Sequence, residues 1–115
     1  MFRDWTFFAD DIVEACQSIL SYSSGLTYEA FLADKKSRDA IIRNIEIIGE
    51  AIKRLPETVR QQAPHIEWRK IVGMRDRIVH AYFGLDYPVV WDAVQIHVPA
   101  LLDAVRSIRE EHGEP

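Results

Sequence analysis

The sequence has little of what would staple, anchor or metallate it. Cys16 is the sole cysteine in 115 residues, so no intramolecular disulfide can form. Lying among Ile12, Ala15, Ile19 and Leu20, it reads as a small buried hydrophobe. No apolar run approaches the ~18 residues needed to cross a bilayer. The start, Met1-Phe2-Arg3-Asp4-Trp5, has no basic patch followed by an apolar stretch, so no signal peptide is expected. These absences point to a cytoplasmic, reduced location without membrane attachment. The histidines are His65, His80, His97 and His112; none stands three or four residues from another histidine or from the cysteine, and no metal site is expected. There is no glycine-rich phosphate loop and no expected cofactor. Positive charge is not in excess either. A formal net charge of −4 argues against coating nucleic acid through a global field, while leaving room for a local site.

What is present is a single domain, residues 1–115, long enough to bury an independent core. Disorder is expected only at the acidic tail from Glu110 to Pro115. No alternating run of strand length occurs, and Gly25, Pro56, Pro64, Gly84 and Pro88 punctuate helical periodicity. The first helix is expected over about Asp4 to Tyr22, with Phe8, Ile12, Ala15, Ile19 and Tyr22 inward. A short helix begins after Thr27, a good N-cap, and carries Phe31 and Leu32. The next long helix begins near Ser37 and ends before Pro56, with the stripe Ile41, Ile45, Ile48, Ile52 and Leu55. Gly49 sits beside that stripe; a mid-helix glycine costs up to ~1 kcal/mol against alanine, and close approach of another helix is the expected compensation. Glu57 to Ala63 is expected to form a turn or two. A further helix is expected from about Glu67 to Phe83, stopping at Gly84. Asp86 caps the last helix, whose stripe is Trp91, Val94, Val98, Leu101, Val105 and Ile108, and Pro99 should kink it. The expected fold is an all-α, antiparallel four-helix bundle with an additional short helix. Trp5, Trp68, Trp91, Tyr87 and Phe83 offer more aromatic area than a small core needs, which suggests a homodimer interface.

The chemistry concentrates in Arg75-Asp76-Arg77-Ile78-Val79-His80-Ala81-Tyr82. Trp68, Val72, Val79 and Tyr82 form a helical stripe, and Arg75 falls on it. A guanidinium does not lose its charge, so either a carboxylate meets it or it lines a cleft that receives an anion. Glu50 is a candidate intramolecular partner if the two helices are neighbours. Arginine holds phosphate oxygens and neutralises charge developing on them; histidine moves a proton near neutral pH. Together they suit metal-independent cleavage of an RNA phosphodiester. Five residues of helix separate Arg75 from His80 by about 140° and ~7.5 Å of rise, so they do not share a face. A two-fold dimer would bring two copies of each to one cleft. Asp76 and His80 do share a face, and Asp76 can orient the imidazole or form a plain surface pair. Tyr82 is almost in line with Arg75. Arg69, Lys70 and Arg77 add cations that can contact RNA or simply form a solvated face.

The pattern Arg75-x4-His80-x-Tyr82 resembles the signature of the HEPN superfamily, and specifically of the HepT ribonuclease toxins. Ile47-Ile48-Gly49-Glu50-Ala51 resembles the upstream helix signature of that family. Trp68-Arg69-Lys70-Ile71-Val72-Gly73-Met74-Arg75 resembles its lead-in to the motif, and Tyr82-Phe83-Gly84-Leu85-Asp86 with Val90-Trp91 resembles the family's downstream segment. The resemblance runs in order from about Phe31 to Leu102. It implies a homodimer with the motif at the dimer cleft, and metal-independent endoribonuclease activity through a 2′,3′-cyclic phosphate. It implies Arg75 and His80 as catalytic residues, with Asp76 in support. It also implies a type II toxin-antitoxin pairing, in which a minimal nucleotidyltransferase antitoxin transfers AMP to Tyr82 and silences the toxin. Two other readings remain: a non-catalytic nucleotide- or substrate-binding partner subunit of a nucleotidyltransferase, and a purely structural helical dimer with Arg75 paired internally.

Overall fold

The structure, a computed structural model, describes residues 4–80 and 86–112, with the side chains of 78–80 excepted. Among the described residues there is no strand. They form seven α-helices and one π turn, in the order α1 (Trp5–Ser23), α2 (Tyr28–Ala33), α3 (Lys35–Lys53), α4 (Glu57–Arg60), α5 (Trp68–His80), α6 (Tyr87–Asp92), the π turn Ala93–His97, and α7 (Val98–His112). The expected helix stop at Gly84 lies outside the described residues, as do Tyr82 and Phe83.

Short polar side chains start the helices where backbone N–H groups have no partner. Asp4 accepts from the Thr6 N–H, Thr27 from Ala30, Asp34 from Ser37 and Asp86 from Val89. Asp34 moves the start of α3 to Lys35, two residues before the expected Ser37. Its carboxylate takes both the Ser37 N–H and, at 2.8 Å, the Ser37 hydroxyl. These bonds hold the Asp34 carboxyl below the usual carboxylate range.

The core is one continuous apolar cluster drawn from all the long helices. α3 lies at its centre, packed against α1 on one side and α5 on the other, and α1 also packs against α7. Ile41, Ile45, Ile48, Ile52 and Leu55 are buried as their spacing requires. Each such side chain contributes roughly 1.5–3 kcal/mol by leaving water. α1 and α7 run antiparallel, because Asp10 near the start of one meets Arg109 near the end of the other at 2.8 Å. Trp5 and His112 meet edge-on at the same end, 4.7 Å between ring centres.

Two expectations are corrected, and two are filled in. Tyr22 is 45% exposed; continuing from Ile19 by four residues places Ser23, not Tyr22, on the inner face. On α5 the buried residues are Trp68, Ile71 and Met74, whereas Val72 is only half-buried. Arg75 therefore flanks the buried stripe instead of interrupting it. Much of the aromatic surplus is used inside the chain. Phe31 lies at the centre of a group with Tyr28, Tyr87 and Trp91, with ring centres 5.0–6.3 Å from its own, and Arg38 sits over Tyr87. The Trp68 indole N–H donates to the carbonyls of Arg60 and Ala63, fastening the start of α5 to the end of α4. Finally, Pro99 lies in the first turn of α7, directly after the π turn. The wider turn accommodates the proline, which has no N–H to offer.

Candidate active site

α5 crosses α3 at Gly49. A Cβ at that position would fall 2.6 Å from Cγ of Arg75 and nearer still to its Cβ. The missing side chain lets the stem of Arg75 lie directly on the α3 backbone, which is the close approach the mid-helix glycine implied. The stem is largely covered, its side chain 21% exposed, and the guanidinium emerges beside the next turn of α3.

There it meets two carboxylates. One terminal nitrogen lies 2.5 Å from Oε1 of Glu50, and the other donates to Oδ1 of Asp76 at 2.9 Å. Lys53 stands one turn beyond Glu50, 3.3 Å from the same Asp76 oxygen and 3.9 Å from the same Glu50 oxygen. Arg75, Glu50, Lys53 and Asp76 thus form a closed square of alternating charge, two residues from each helix. The hydrogen bond to Asp76, then the Glu50 charge, hold the Arg75 guanidinium above the ordinary arginine value. Hydrogen bonds from Arg75 and from Lys53 hold the Asp76 carboxyl below the usual carboxylate range. Nε of Arg75 is buried and has no hydrogen-bond partner among the described residues.

Two expectations are answered together. The guanidinium is paired inside the chain, and it also lines a groove. An open depression of about 440 Å³ runs between α1 and α3, walled by Phe8, Asp11, Arg43, Ile47, Glu50 and Arg54, with Arg75 opening into it. Arg43, Ile47 and Glu50 recur at four and three residues along one face of α3, and Arg54, its C-cap, continues that line. The Asp76 carboxylate is engaged by Arg75 and Lys53. The side chain of His80, and all of Tyr82, lie outside the described residues.

The other motif cations do not join this cluster. Arg69 and Lys70 line a separate hollow with Glu57, Arg60 and Trp68, and Lys70 stands 3.7 Å from Glu67. Arg77 is exposed and 4.0 Å from Asp86. Sequence reasoning weighed Glu50 only as a structural partner, and it missed Lys53, Arg43 and Arg54. The signal for Glu50 was its place beside Gly49, where α3 admits another helix. Lys53 was signalled by its i,i+3 spacing from Glu50. Among the described residues no group of histidine, cysteine and carboxylate side chains is arranged to hold a metal ion.

Comparison with known proteins gives the family. The family model described as "Ribonuclease HepT-like" matches residues 12–108. A protein of Thermococcus cleftensis named "Probable ribonuclease HepT" is 39% identical over 110 residues, covering 96% of this chain and all of the relative. An RNase candidate of Methanocaldococcus jannaschii, MJ0127, is 37% identical over 113 residues, covering 97% of this chain and 93% of the relative. An RNase candidate of Caldanaerobacter subterraneus, TTE0752, is 33% identical over 104 residues, covering 90% and 93% respectively. No solved structure matches the chain. With most of its length matched by both the family model and these relatives, the chain belongs to the ribonuclease HepT-like family.

Proposed function

We propose that this protein is the toxin of a type II toxin-antitoxin pair, a metal-independent endoribonuclease that works as a homodimer on cellular RNA. Family membership makes it a ribonuclease. The observation that carries the finer reading is Arg75, a permanent cation placed by α5 at the wall of an open groove, five residues before His80. In this mechanism the 2′-hydroxyl of the substrate attacks the adjacent phosphorus, and the bond to the departing 5′-oxygen breaks. The His80 imidazole takes the 2′-proton, a second proton donor protonates the leaving oxygen, and the product ends in a 2′,3′-cyclic phosphate. The imidazole of a second copy supplies that donor when the two motifs share a cleft. The Arg75 guanidinium stabilises the charge that builds on the phosphoryl oxygens. Arg69, Lys70 and Arg77 are weaker candidates for contact with the rest of the RNA. Tyr82 is the acceptor of AMP from a minimal nucleotidyltransferase antitoxin. An adenylate two residues beyond His80 sets a phosphate and a base where substrate must lie.

The test is cleavage in EDTA. The purified protein should cut RNA and leave cyclic-phosphate ends. His80→Ala should lower the rate by roughly 10²–10⁴-fold, the range of general acid–base catalysis. Undiminished cleavage by a folded His80→Ala protein refutes the assignment. Incubation with the cognate nucleotidyltransferase and ATP should add the mass of AMP to the wild type and not to Tyr82→Phe. The pairing of both terminal nitrogens of Arg75 with carboxylates favours a second reading, a non-catalytic nucleotide-binding subunit of the transferase. Harmless expression with tight complex formation, and no cleavage by the isolated chain, would support it.

A further inference from the structure

The endoribonuclease reading makes Arg75 the group that meets the phosphate, and it leaves open what aims the guanidinium. An arginine has four rotatable side-chain bonds and loses nearly ~2 kcal/mol of conformational freedom when fixed. A catalytic cation left to wander must lose that freedom in the transition state, and a misplacement of about 1 Å can cost 10²-fold in rate. We propose that Glu50 is the positioning residue for Arg75, holding the guanidinium at the groove wall from the neighbouring helix. The proposal rests on the function given above.

Three features of the structure carry this. The Glu50 carboxylate is 2.5 Å from a terminal nitrogen of Arg75, the shortest contact in the charge square. Gly49, immediately before it, lets the Arg75 stem lie on α3, so the two residues together fix both ends of the side chain. The other carboxylate, Asp76, is adjacent to Arg75 on the same helix and reaches α3 only indirectly, through Lys53. Among the described residues, Glu50 is the group that ties the guanidinium to α3. Lys53 offsets the added negative charge, standing between Glu50 and Asp76 at 3.9 and 3.3 Å, so the square is neutral.

Glu50 acts on orientation and against attraction. Its charge repels an arriving phosphate while its oxygen aims the cation that receives it. Removing it should therefore move two observables in opposite directions. Glu50→Ala should lower kcat by about 10–100-fold. It should leave affinity for an uncleavable 2′-O-methyl RNA oligonucleotide unchanged or up to several-fold tighter. Glu50→Gln keeps the accepting oxygen and loses the charge, and it should recover most of the lost kcat.

A purely structural role gives a different pattern, with both variants losing melting temperature, kcat and affinity together; that result overturns the proposal, as does wild-type kcat in Glu50→Ala. A readout independent of cleavage separates this inference from the enzymatic reading. In the wild type the Arg75 guanidinium protons should give resolved NMR signals, because the ion pair slows rotation about the Nε–Cζ and Cζ–Nη bonds. Those signals should collapse in Glu50→Ala and persist in Glu50→Gln. If the wild type cleaves no RNA, the enzymatic reading fails, and this NMR comparison alone decides whether Glu50 positions Arg75. Unaltered signals in Glu50→Ala overturn the positioning in either case.

Discussion

Gly49 and Gly73 lie in adjacent long helices, and propensity alone would have alanine improve either by up to ~1 kcal/mol. Their surroundings are opposite. A Cβ at Gly73 meets no atom within 4 Å, whereas one at Gly49 runs into the Cβ and Cγ of Arg75. Those atoms are close to the α5 backbone and cannot swing aside, so α5 itself must move. Gly73→Ala should therefore stabilise the protein by a few tenths to ~1 kcal/mol. Gly49→Ala should destabilise it by ~1–3 kcal/mol through overpacking, and should reduce ribonuclease activity by displacing Arg75. Thermal melts of the two variants side by side check the sign, and a rise in melting temperature for Gly49→Ala would refute the close approach. Cys16 makes a second residue-level case. Burial pushes its thiol up to about 12, so the neutral form is the folded form. Below the ordinary thiol value, near ~8.5, this contribution to stability is complete. It is lost as the pH climbs from there through about 12, because the unfolded chain releases the proton first. A thiol reagent near neutral pH should label the native protein only as fast as it unfolds, and should label one thiol at once in denaturant. Gly49 and Cys16 were both readable in the sequence, since each breaks or joins a local pattern. The pairing of Arg75 was legible only as a requirement: a cation bordering apolar residues needs an anion, and nothing local says that the anion sits on another helix.

At the scale of elements, periodicity located the four long helices, and polar caps at Thr27 and Asp86 located the starts of the short second helix and of the last arm. It was weaker at assigning faces. On α5, residues 68, 71 and 74 and residues 68, 72, 75 and 79 are both helical stripes, and spacing cannot choose between them. The choice came from packing: Ile71 and Met74 line one small apolar space with Ile45 and Ile48 of α3 and with Ala93, Val98 and Leu101 of the last arm. The π turn was equally hidden. Pro99 announced a disturbance, and the sequence did not say that the chain would resolve it by one wider turn before the proline. Caps, by contrast, make a direct prediction. Asp34 ends α2 and begins α3, and its carboxyl, held low by the Ser37 hydroxyl and N–H, is ionised at neutral pH. Asp34→Ala should lower the melting temperature by about 5 °C at neutral pH, as expected for a lost cap in a small domain. Because the folded value is depressed, the stabilisation is present above the ordinary carboxylate value of ~3.9 and is lost as the pH falls through the lower folded value. The gap between wild type and Asp34→Ala should therefore stay constant from neutral pH down to about 5 and close only in stronger acid. A gap that closes above that pH would mean the cap is not the ionised carboxylate.

Across the whole molecule, charge says how RNA can be held. The chain is acidic overall, and the groove that receives Arg75 carries Asp11, Glu46 and Glu50 alongside Arg43 and Arg54. The cations at the start of α5 line a different hollow, separate from the groove at Arg75. The aromatic side chains that suggested a partner surface are in good part spent on the core, and the exposed large apolar residues among those described are Phe7, Tyr22, Ile47 and Ile96. On the proposed function, with a net charge of −4, binding depends on a few contacts around Arg75 and on the fit of the reacting nucleotides. Counterion release turns this into a measurable slope. For single strands the logarithm of affinity falls with the logarithm of salt by about 0.7 per phosphate neutralised. Two to three contacts, supplied by Arg75 with Arg43 and Arg54, give slopes of about −1.4 to −2.1. A protein that coated RNA through ten contacts would give about −7. Titrating a 2′-O-methyl oligonucleotide from low to high salt distinguishes the two, and Arg75→Ala should flatten the slope by about 0.7 for each protomer engaged. A slope steeper than about −5 would mean that RNA is held by cations well beyond the groove, and that the negative balance of the chain conceals a basic surface elsewhere.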